Sequence, residues 1–307
     1  MNQRLKQVIE RAGVVVGLPH LGRILRRHRT VVLMYHNIVP SGVERLGDLS
    51  LHVSQQDFAA QLDLLHQHFE IVPLMSLVAE DAQRLPLERP RIAITFDDAY
   101  SGALTVGIQE LVSRRIPATI FVAPGLVGQE TWWDLVAVET SGAIPEDERR
   151  NLLVSHGGRR DAILAVTHKS VGARARAGFP RIATLSQLAD AAVKPGISLG
   201  SHTWTHPNLA ALNSSELHEE LVRPLEWLRD RYRSFIPVVS YPYGLSSKSV
   251  EDAASNAGYC AGLQADGGWL TREKSSRPFA LPRFNVPANL SIDGLWVRLG
   301  IGASRAG

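Results

Sequence analysis

The stretch RIAITFDDAY, residues 91–100, joins an apolar run typical of a buried β-strand to two adjacent carboxylates, Asp97 and Asp98. Burying an unpaired carboxylate is costly. The two side chains must therefore reach water, pair with cations or bind a metal ion. Each of these alternatives places them where the strand ends, at the rim of a sheet.

Seven further β-type runs surround this stretch, and segments with a helical pattern separate them. The runs are residues 31–36, 71–74, 118–123, 197–202, 237–242, 259–263 and 281–286. One helix is predicted to start after Ser54, because Asp57 and an apolar pattern of period near 3.6 follow it. Strands that alternate with helices indicate parallel pairing, and about eight of them favour a (β/α) barrel over an open doubly wound sheet. No glycine-rich phosphate loop follows a strand, which argues against nucleotide chemistry.

The composition predicts a soluble globular protein and narrows the possible sites. The chain has 307 residues, 45% of them hydrophobic, and 33 basic and 30 acidic residues are interspersed to give a formal net charge of +3. This weak basic bias argues against a nucleic-acid-binding protein. The single cysteine, Cys260, excludes an internal disulfide and a thiolate zinc site. A metal ion would have to be bound by His, Asp or Glu.

Three regions are predicted along the chain. Residues 1–30 form a basic, helical N-terminal segment, and residues 31–307 form the main domain. The apolar part of the segment is shorter than the ~20 residues that span a bilayer, and it lacks the features of a signal peptide. The segment is therefore either a helix packed on the domain or a peripheral membrane contact, and we expect a cytoplasmic protein, at the inner face of the membrane in the second case. Residues 129–196 predict a helical insertion, either a lid over the site or a solvated decoration.

A second motif, SHTWTHPNL at residues 201–209, places His202 and His206 four residues apart just beyond a predicted strand. By themselves two such histidines are more typical of a surface pair than of a metal site. The carboxyl ends of barrel strands converge on one mouth, however, so one carboxylate of the Asp pair and the two imidazoles could bind a divalent ion. We expect one Zn²⁺, for which Co²⁺ or Ni²⁺ could substitute. The other carboxylate could then act as the base of a hydrolase.

Together the motifs TFDD (95–98), HTWTH (202–206) and PYG (242–244) resemble the polysaccharide deacetylase family, also called the NodB-homology group or carbohydrate esterase family 4. The resemblance covers residues 31–290. It implies an α/β fold, a distorted (β/α) barrel of the NodB-homology type, and a metal-dependent hydrolase that removes acetyl groups from N-acetylated sugars.

The same resemblance implies a role for each motif residue. Asp98, His202 and His206 match the metal ligands of the family, and Asp97 matches the general base. Tyr243 matches the position whose backbone N–H helps to bind the oxyanion, and its ring could line the sugar pocket.

The chain departs from the family pattern at two places. Ser240 stands where the third motif commonly has Arg, and no His follows His218 to supply the late general acid. His36, in VLMYHNI, resembles the acid of the branch that includes poly-N-acetylglucosamine deacetylases, and we assign it that role; the alternative is a buried structural histidine. Arg283, in LPRFNV, is the candidate to replace the missing arginine and to lower the pKa of Asp97; the alternative is an ordinary structural ion pair.

The sequence thus predicts a carbohydrate N-deacetylase whose catalytic residues are Asp97, His36, Arg283 and Tyr243, acting on a saccharide that contains N-acetylglucosamine. Trp204 lies inside the metal motif and is predicted to bind the sugar. Two alternatives stay open: an amidohydrolase for a small non-sugar amide or ureide, and a non-catalytic glycan-binding relative. A closed cavity would favour the small amide, and an open groove with aromatic platforms would favour a polymer.

Overall fold

The computed structural model describes residues 10–17, 19, 22, 30–78, 89–167, 178–270 and 277–301. Ten strands are present in this part of the chain. They are β1 (Thr30–Tyr35), β2 (Asn37–Val39), β3 (His52–Ser54), β4 (Glu70–Ile71), β5 (Arg91–Phe96), β6 (Ala118–Val122), β7 (Ile197–Ser201), β8 (Phe235–Ser240), β9 (Ala261–Leu263) and β10 (Phe284–Asn285).

Eight of these strands form one parallel sheet in the order β10-β1-β5-β6-β7-β8-β9, with β4 also paired to β5. Its two edges are joined by residues 281–285. The N–H of Leu281 donates to the carbonyl of Gly262 at 3.0 Å beside β9, and Phe284 in β10 pairs with Leu33 in β1. The sheet therefore curls into a distorted (β/α) barrel, and both the predicted fold and its eight strands are confirmed.

Ten α-helices have defined bounds within the described ranges. They are α1 (Gln55–His68), α2 (Met75–Val78), α3 (Ile108–Ser113), α4 (Trp132–Ala137), α5 (Glu146–Ser155), α6 (Arg160–Thr167), α7 (Leu185–Ala192), α8 (Ser214–Arg231), α9 (Lys248–Asn256) and α10 (Ile292–Ile301). The predicted start of α1 is confirmed, because the Ser54 hydroxyl accepts a hydrogen bond from the N–H of Asp57 at 3.0 Å.

Strand alternation separates two apolar layers and decides which side chains face the barrel interior. Val31, Leu33 and Tyr35 of β1 pack under the helices, and Tyr35 contacts Phe58 of α1 with ring centroids 5.2 Å apart. The neighbouring Val32 belongs to the second layer, together with residues from β5, β6, β8 and β9. Side chains alternate along a strand, so Asp97 lies on the same face as Ala93 and Thr95 of β5. This places Asp97 at the mouth of the barrel.

Gly200 of β7 shows how tightly this interior is filled. A Cβ atom at this position would lie 2.5 Å from the ring of Phe121 on the neighbouring strand β6. Contacts that short do not occur, so a side chain at position 200 would displace the ring. The glycine thereby allows a phenylalanine to fill the barrel interior.

A small two-stranded sheet was not predicted from the sequence. β2 and β3 each have three residues and pair in parallel, from Asn37 opposite His52 to Val39 opposite Ser54. Three residues are too few for an alternating pattern to stand out from a loop.

The predicted insertion, residues 129–196, contributes the helices α4, α5, α6 and α7 between β6 and β7. Most of the N-terminal segment, residues 1–30, lies outside the described residues. In its described part, the carboxylate of Glu10 accepts from Ser291 at 2.6 Å and Arg11 lies 3.3 Å from Asp293, so these residues contact the start of α10. The membrane contact and the cytoplasmic location stay predictions. Within the ranges given above, no helix combines the length and the apolar character of a membrane span.

Candidate active site

Except for Arg283, which precedes β10, the predicted site residues follow the carboxyl ends of the parallel strands, where left-handed backbone is concentrated. Seven non-glycine residues of the described chain have a positive φ, a conformation that costs about 1–3 kcal/mol at each residue. Five of them follow β5, β7 or β8 at the barrel mouth: Asp98, Ala99, Thr203, His206 and Tyr243. Strained backbone persists only where the surrounding structure holds it, and a cluster of strained residues is typical of a functional site.

Asp98, His202 and His206 form a buried cluster of three potential metal ligands. Oδ1 of Asp98 lies 3.4 Å from Nε2 of His202 and 3.3 Å from Nε2 of His206, and the two nitrogens are 3.1 Å apart. The three ligand atoms lie within 4.8 Å of one another. One carboxylate oxygen and two imidazole nitrogens that converge in this way are suited to a divalent cation.

The second nitrogens of the two imidazoles have different surroundings. Nδ1 of His202 lies 2.8 Å from the carbonyl oxygen of Ser240, so this nitrogen carries the hydrogen and Nε2 presents its lone pair to the cluster. Nδ1 of His206 is buried and has no hydrogen-bond partner among the described residues. Two aromatic rings flank His206 instead: Trp133, at 4.8 Å between centroids, and Tyr243, at 4.7 Å.

Burial and the neighbouring charges shift the pKa values of the three groups of the cluster in different directions. Burial lowers the pKa of both imidazoles, but the carboxylates of Asp97 and Asp98 outweigh burial at His202 and raise its pKa. At His206 the charge of His202 adds to burial and lowers the pKa to about 3. Burial raises the pKa of Asp98, whereas its contacts with the two histidines lower it more, so the net pKa lies below the ordinary value.

Asp97 is held by a bidentate ion pair with Arg283, which is fully buried. Nη1 and Nη2 of the guanidinium donate to Oδ1 and Oδ2 of the carboxylate, each at 2.7 Å. The hydroxyl of Ser240 accepts from Arg283 at 2.7 Å and donates to Asp97 at 3.0 Å. Nε of Arg283 donates to the carbonyl of Gln264 at 3.1 Å, and Nη1 to the hydroxyl of Thr95 at 3.3 Å. Ser240, at the position where the resemblance led us to expect an arginine, therefore bridges Arg283 and Asp97.

This ion pair determines the charge of Asp97. Burial alone would raise the pKa of the carboxyl, but the charge of Arg283, the charge of His202 and the Arg283 hydrogen bonds outweigh burial and hold the pKa well below its usual range. The carboxylate is therefore ionised and fixed in orientation at neutral pH. The same pairing makes it a weaker proton acceptor than a free carboxylate.

His36 and Tyr243 line the same cavity as the Asp pair and the two histidines. His36 follows β1 and is half-buried; burial lowers its pKa, and the charges of Asp98 and Asp97 offset part of that effect. The hydroxyl of Tyr243 accepts from Nε1 of Trp132 at 3.0 Å, which fixes the ring beside His206. The cavity, about 320 Å³ in volume, is large enough for a small ligand.

Two predicted site residues do not line the cavity: Arg283, which is buried against Asp97, and Trp204. The ring of Trp204 lies under the guanidinium of Arg223 in α8, with Cζ 3.9 Å from the ring centroid, and 6.5 Å from the ring of Trp227. The backbone N–H of Trp204 donates to the carboxylate of Glu220, also in α8, at 2.8 Å. The prediction that Trp204 binds sugar is not supported by this position on the outside of the barrel.

Three residues of the insertion line the cavity and were not predicted to do so. They are Trp133 in α4, and Arg149 and Leu153 in α5. Arg149 is held there by an ion pair with the buried Asp48. The helical pattern of the insertion identified these elements as helices but gave no signal for the face that meets the site.

Comparison with family models and with one curated relative gives a consistent result. The model described as polysaccharide deacetylase matches residues 84–262, more than half of the chain. YxkH of Bacillus subtilis (strain 168), a predicted polysaccharide deacetylase, is 22% identical over 262 residues, which cover 85% of this chain and 72% of YxkH.

Two solved structures share the fold. The Streptococcus pyogenes deacetylase PplD, in complex with acetate, superposes with a TM-score of 0.60 at 19% identity, covering 87% of this chain and 96% of PplD. IcaB from Ammonifex degensii superposes with a TM-score of 0.58 at 20% identity, covering 89% of this chain and 97% of IcaB. At these identities the likeness concerns the fold.

Proposed function

The chain belongs to the polysaccharide deacetylase family, and from this premise we propose that it is a metal-dependent hydrolase that removes N-acetyl groups from a saccharide containing N-acetylglucosamine. One observation carries the proposal. A carboxylate fixed by a bidentate arginine, Asp97, lies beside the Asp98–His202–His206 cluster in a single cavity. A potential base beside a potential metal site is suited to metal-assisted hydrolysis of an amide.

The ligand set fits a divalent cation. Oδ1 of Asp98 is buried without a hydrogen-bond partner among the described residues, and Nε2 of His202 faces it because Nδ1 is turned to a carbonyl. Two nitrogens and one oxygen suit Zn²⁺, which is the ion we propose; Co²⁺ or Ni²⁺ could take its place. When bound, such an ion would polarise the acetamide carbonyl and lower the pKa of water at the site.

The residues of the chain account for the proton transfers. Asp97, ionised and oriented by Arg283, takes a proton from the attacking water. The backbone N–H of Tyr243 donates to the carbonyl oxygen as negative charge develops there. His36 donates a proton to the amine nitrogen as the carbon–nitrogen bond breaks, which leaves acetate and an amino sugar.

Acetate release tests the substrate assignment. We expect the purified protein to release acetate from N-acetylglucosamine oligomers, measured by a coupled acetate assay across oligomer lengths. The same assay applied to lipid-linked N-acetyl sugars, and an assay of released amine or ammonia applied to small amides and ureides, form the comparison set. Acetate from none of the saccharides, together with hydrolysis of a small amide, would replace the proposal with the amidohydrolase alternative.

The small volume and apolar lining of the cavity are the reason to test the amidohydrolase alternative. A volume of about 320 Å³ is at the lower end of the range of small-molecule sites. Leu51, Trp133 and Leu153 supply apolar wall that a small amide could also contact. Because both candidates use the same base and ligands, only the comparison of substrates separates them.

The role of His36 can be tested through the leaving group. If His36 protonates the departing amine, His36→Ala should lower kcat by about 10²-fold on an N-acetylglucosamine oligomer. The loss on p-nitrophenyl acetate should be much smaller, because nitrophenolate leaves without a proton. Rates for both substrates are measured with His66→Ala, an exposed histidine of α1, as the control. Equal losses on the two substrates would make His36 a structural residue.

A further inference from the structure

Among the described residues, Nδ1 of His206 has no hydrogen-bond partner of the kind that usually orients an imidazole ligand. A metal-binding histidine normally donates its second N–H to a carboxylate, a carbonyl or water, as Nδ1 of His202 does to Ser240. The ring of His206 is buried, and two aromatic side chains pack against it.

Two aromatic rings supply that packing. The indole of Trp133 lies 4.8 Å from the imidazole of His206, tilted by 46°, and the ring of Tyr243 lies 4.7 Å away on another side at 79°. A hydrogen bond to another aromatic side chain holds each of these two rings. Nε1 of Trp132 donates to the Tyr243 hydroxyl at 3.0 Å, and Nε1 of Trp133 donates to the Tyr100 hydroxyl at 2.7 Å.

The Trp133 side continues into a buried hydrogen-bond chain. The hydroxyl of Tyr100 donates in turn to Oδ2 of Asp134 at 2.6 Å. Asp134 also accepts from the hydroxyl of Thr131 at 2.8 Å and from the N–H of Asp48 at 2.8 Å, and Nε2 of His52 lies 2.9 Å from its Oδ1. The side chains of Asp134 and His52 are fully buried.

This chain joins three parts of the fold that are distant in sequence. Tyr100 follows β5, Asp134 lies in α4 of the insertion, and His52 begins β3. The carboxylate of Asp134 accepts hydrogen bonds from all three parts of the fold. These hydrogen bonds fix the orientation of the Asp134 side chain. The indole of Trp133, one residue before this anchor, is thereby fixed where it meets His206.

We propose that Trp133, held by the hydrogen-bond chain through Tyr100 to Asp134, is a positioning residue for the metal ligand His206. The proposal rests on the metal site proposed above. Ser240 orients His202 by a hydrogen bond, and in this proposal Trp133 of the insertion orients His206 by packing against it. A histidine ring that is free to rotate would spend less time with Nε2 toward the ion, so metal affinity is the property that should change.

Zinc affinity of the full chain, measured by competition with a chelator, tests the proposal. Trp133→Leu removes the ring and should raise the Kd for Zn²⁺ by about tenfold, the lower end of the range for loss of a partner that orients a ligand. Tyr100→Phe keeps its ring and removes one oxygen, so we expect a smaller increase, about threefold. The visible absorption spectrum of the Co²⁺-loaded protein should change in both variants, because it reports ligand geometry.

Tyr35→Phe is the matched control. Tyr35 is buried, and its hydroxyl donates to Oε1 of Gln61 in α1 at 3.0 Å, on the side of β1 that packs under the helices. This variant should lose thermal stability as Tyr100→Phe does but keep the wild-type Kd. A purely structural role for Trp133 and Tyr100 predicts that all three variants lose stability with unchanged Kd.

The outcomes separate this proposal from the one on which it rests. A wild-type protein that binds no Zn²⁺, Co²⁺ or Ni²⁺ overturns the metal site and the positioning role together. A wild-type protein that binds Zn²⁺, combined with a Trp133→Leu Kd within twofold of it, overturns the positioning role alone. If Trp133→Leu does not fold, Tyr100→Phe decides, and an unchanged Kd in that variant rejects the proposal.

Discussion

Asp97→Asn should lower kcat by between about 10² and 10⁴-fold while the metal stays bound, because removal of a general base typically costs that much in rate. The amide is nearly the same size as the carboxylate, so the cavity keeps its shape. Asp98 and the two histidines keep their positions, and metal content measured by elemental analysis should match that of the wild type.

The same substitution should also destabilise the fold. It leaves the guanidinium of Arg283 fully buried without its counter-charge, and breaking a buried pair in this way costs about 3–5 kcal/mol. Kinetics are therefore measured below the unfolding temperature of the variant, with Asp147→Asn, an exposed carboxylate of α5, as the control. Loss of metal with little loss of rate per bound metal would exchange the roles of Asp97 and Asp98.

His202→Ala and His206→Ala should each raise the Kd for the divalent ion by more than about 10²-fold. Loss of a residue that only orients a ligand costs 10- to 100-fold in metal affinity, and loss of the ligand itself should cost more. Each substitution leaves one imidazole and the carboxylate of Asp98, a ligand set too small for a tight site. Elemental analysis after dialysis and chelator competition measure the effect.

His218→Ala provides the comparison, because His218 is an exposed histidine of α8 that should leave the metal content unchanged. Acetate release should fall in parallel with metal occupancy in the two cluster variants. Retention of the ion with wild-type affinity in either variant would remove that histidine from the ligand set.

The main sheet was predictable because its strands are short apolar runs between helical patterns, and each run appears as a strand. The convergence of Asp98, His202 and His206 was predictable for the same reason, since barrel strands open on one mouth. Arg283 was singled out because the family's arginine is absent from position 240, and the structure places it against Asp97. Its hydrogen bond to Ser240 could not be read from the sequence.

The contacts of Trp204 and Trp133 show where sequence reasoning ended. Trp204 lies between the two histidines in sequence, yet the turn that aims the imidazoles inward includes Thr203 at a φ of 65° and leaves the indole against α8. Trp133 lies in a helix of the insertion, whose distance from the motifs in sequence gave no indication that it contacts His206. Side-chain direction at a left-handed turn and the docking face of an inserted helix depend on tertiary contacts.

The position of Arg283 has a consequence for the protein during its synthesis. Its partner Asp97 is 186 residues earlier in the chain, and the segment that carries the arginine also joins the two edges of the sheet. Asp97, Asp98, His202 and His206 are therefore synthesised well before Arg283, whose guanidinium pairs with Asp97. We therefore expect the nascent chain to acquire the ion pair that orients Asp97 only after residues 281–285 have emerged and docked.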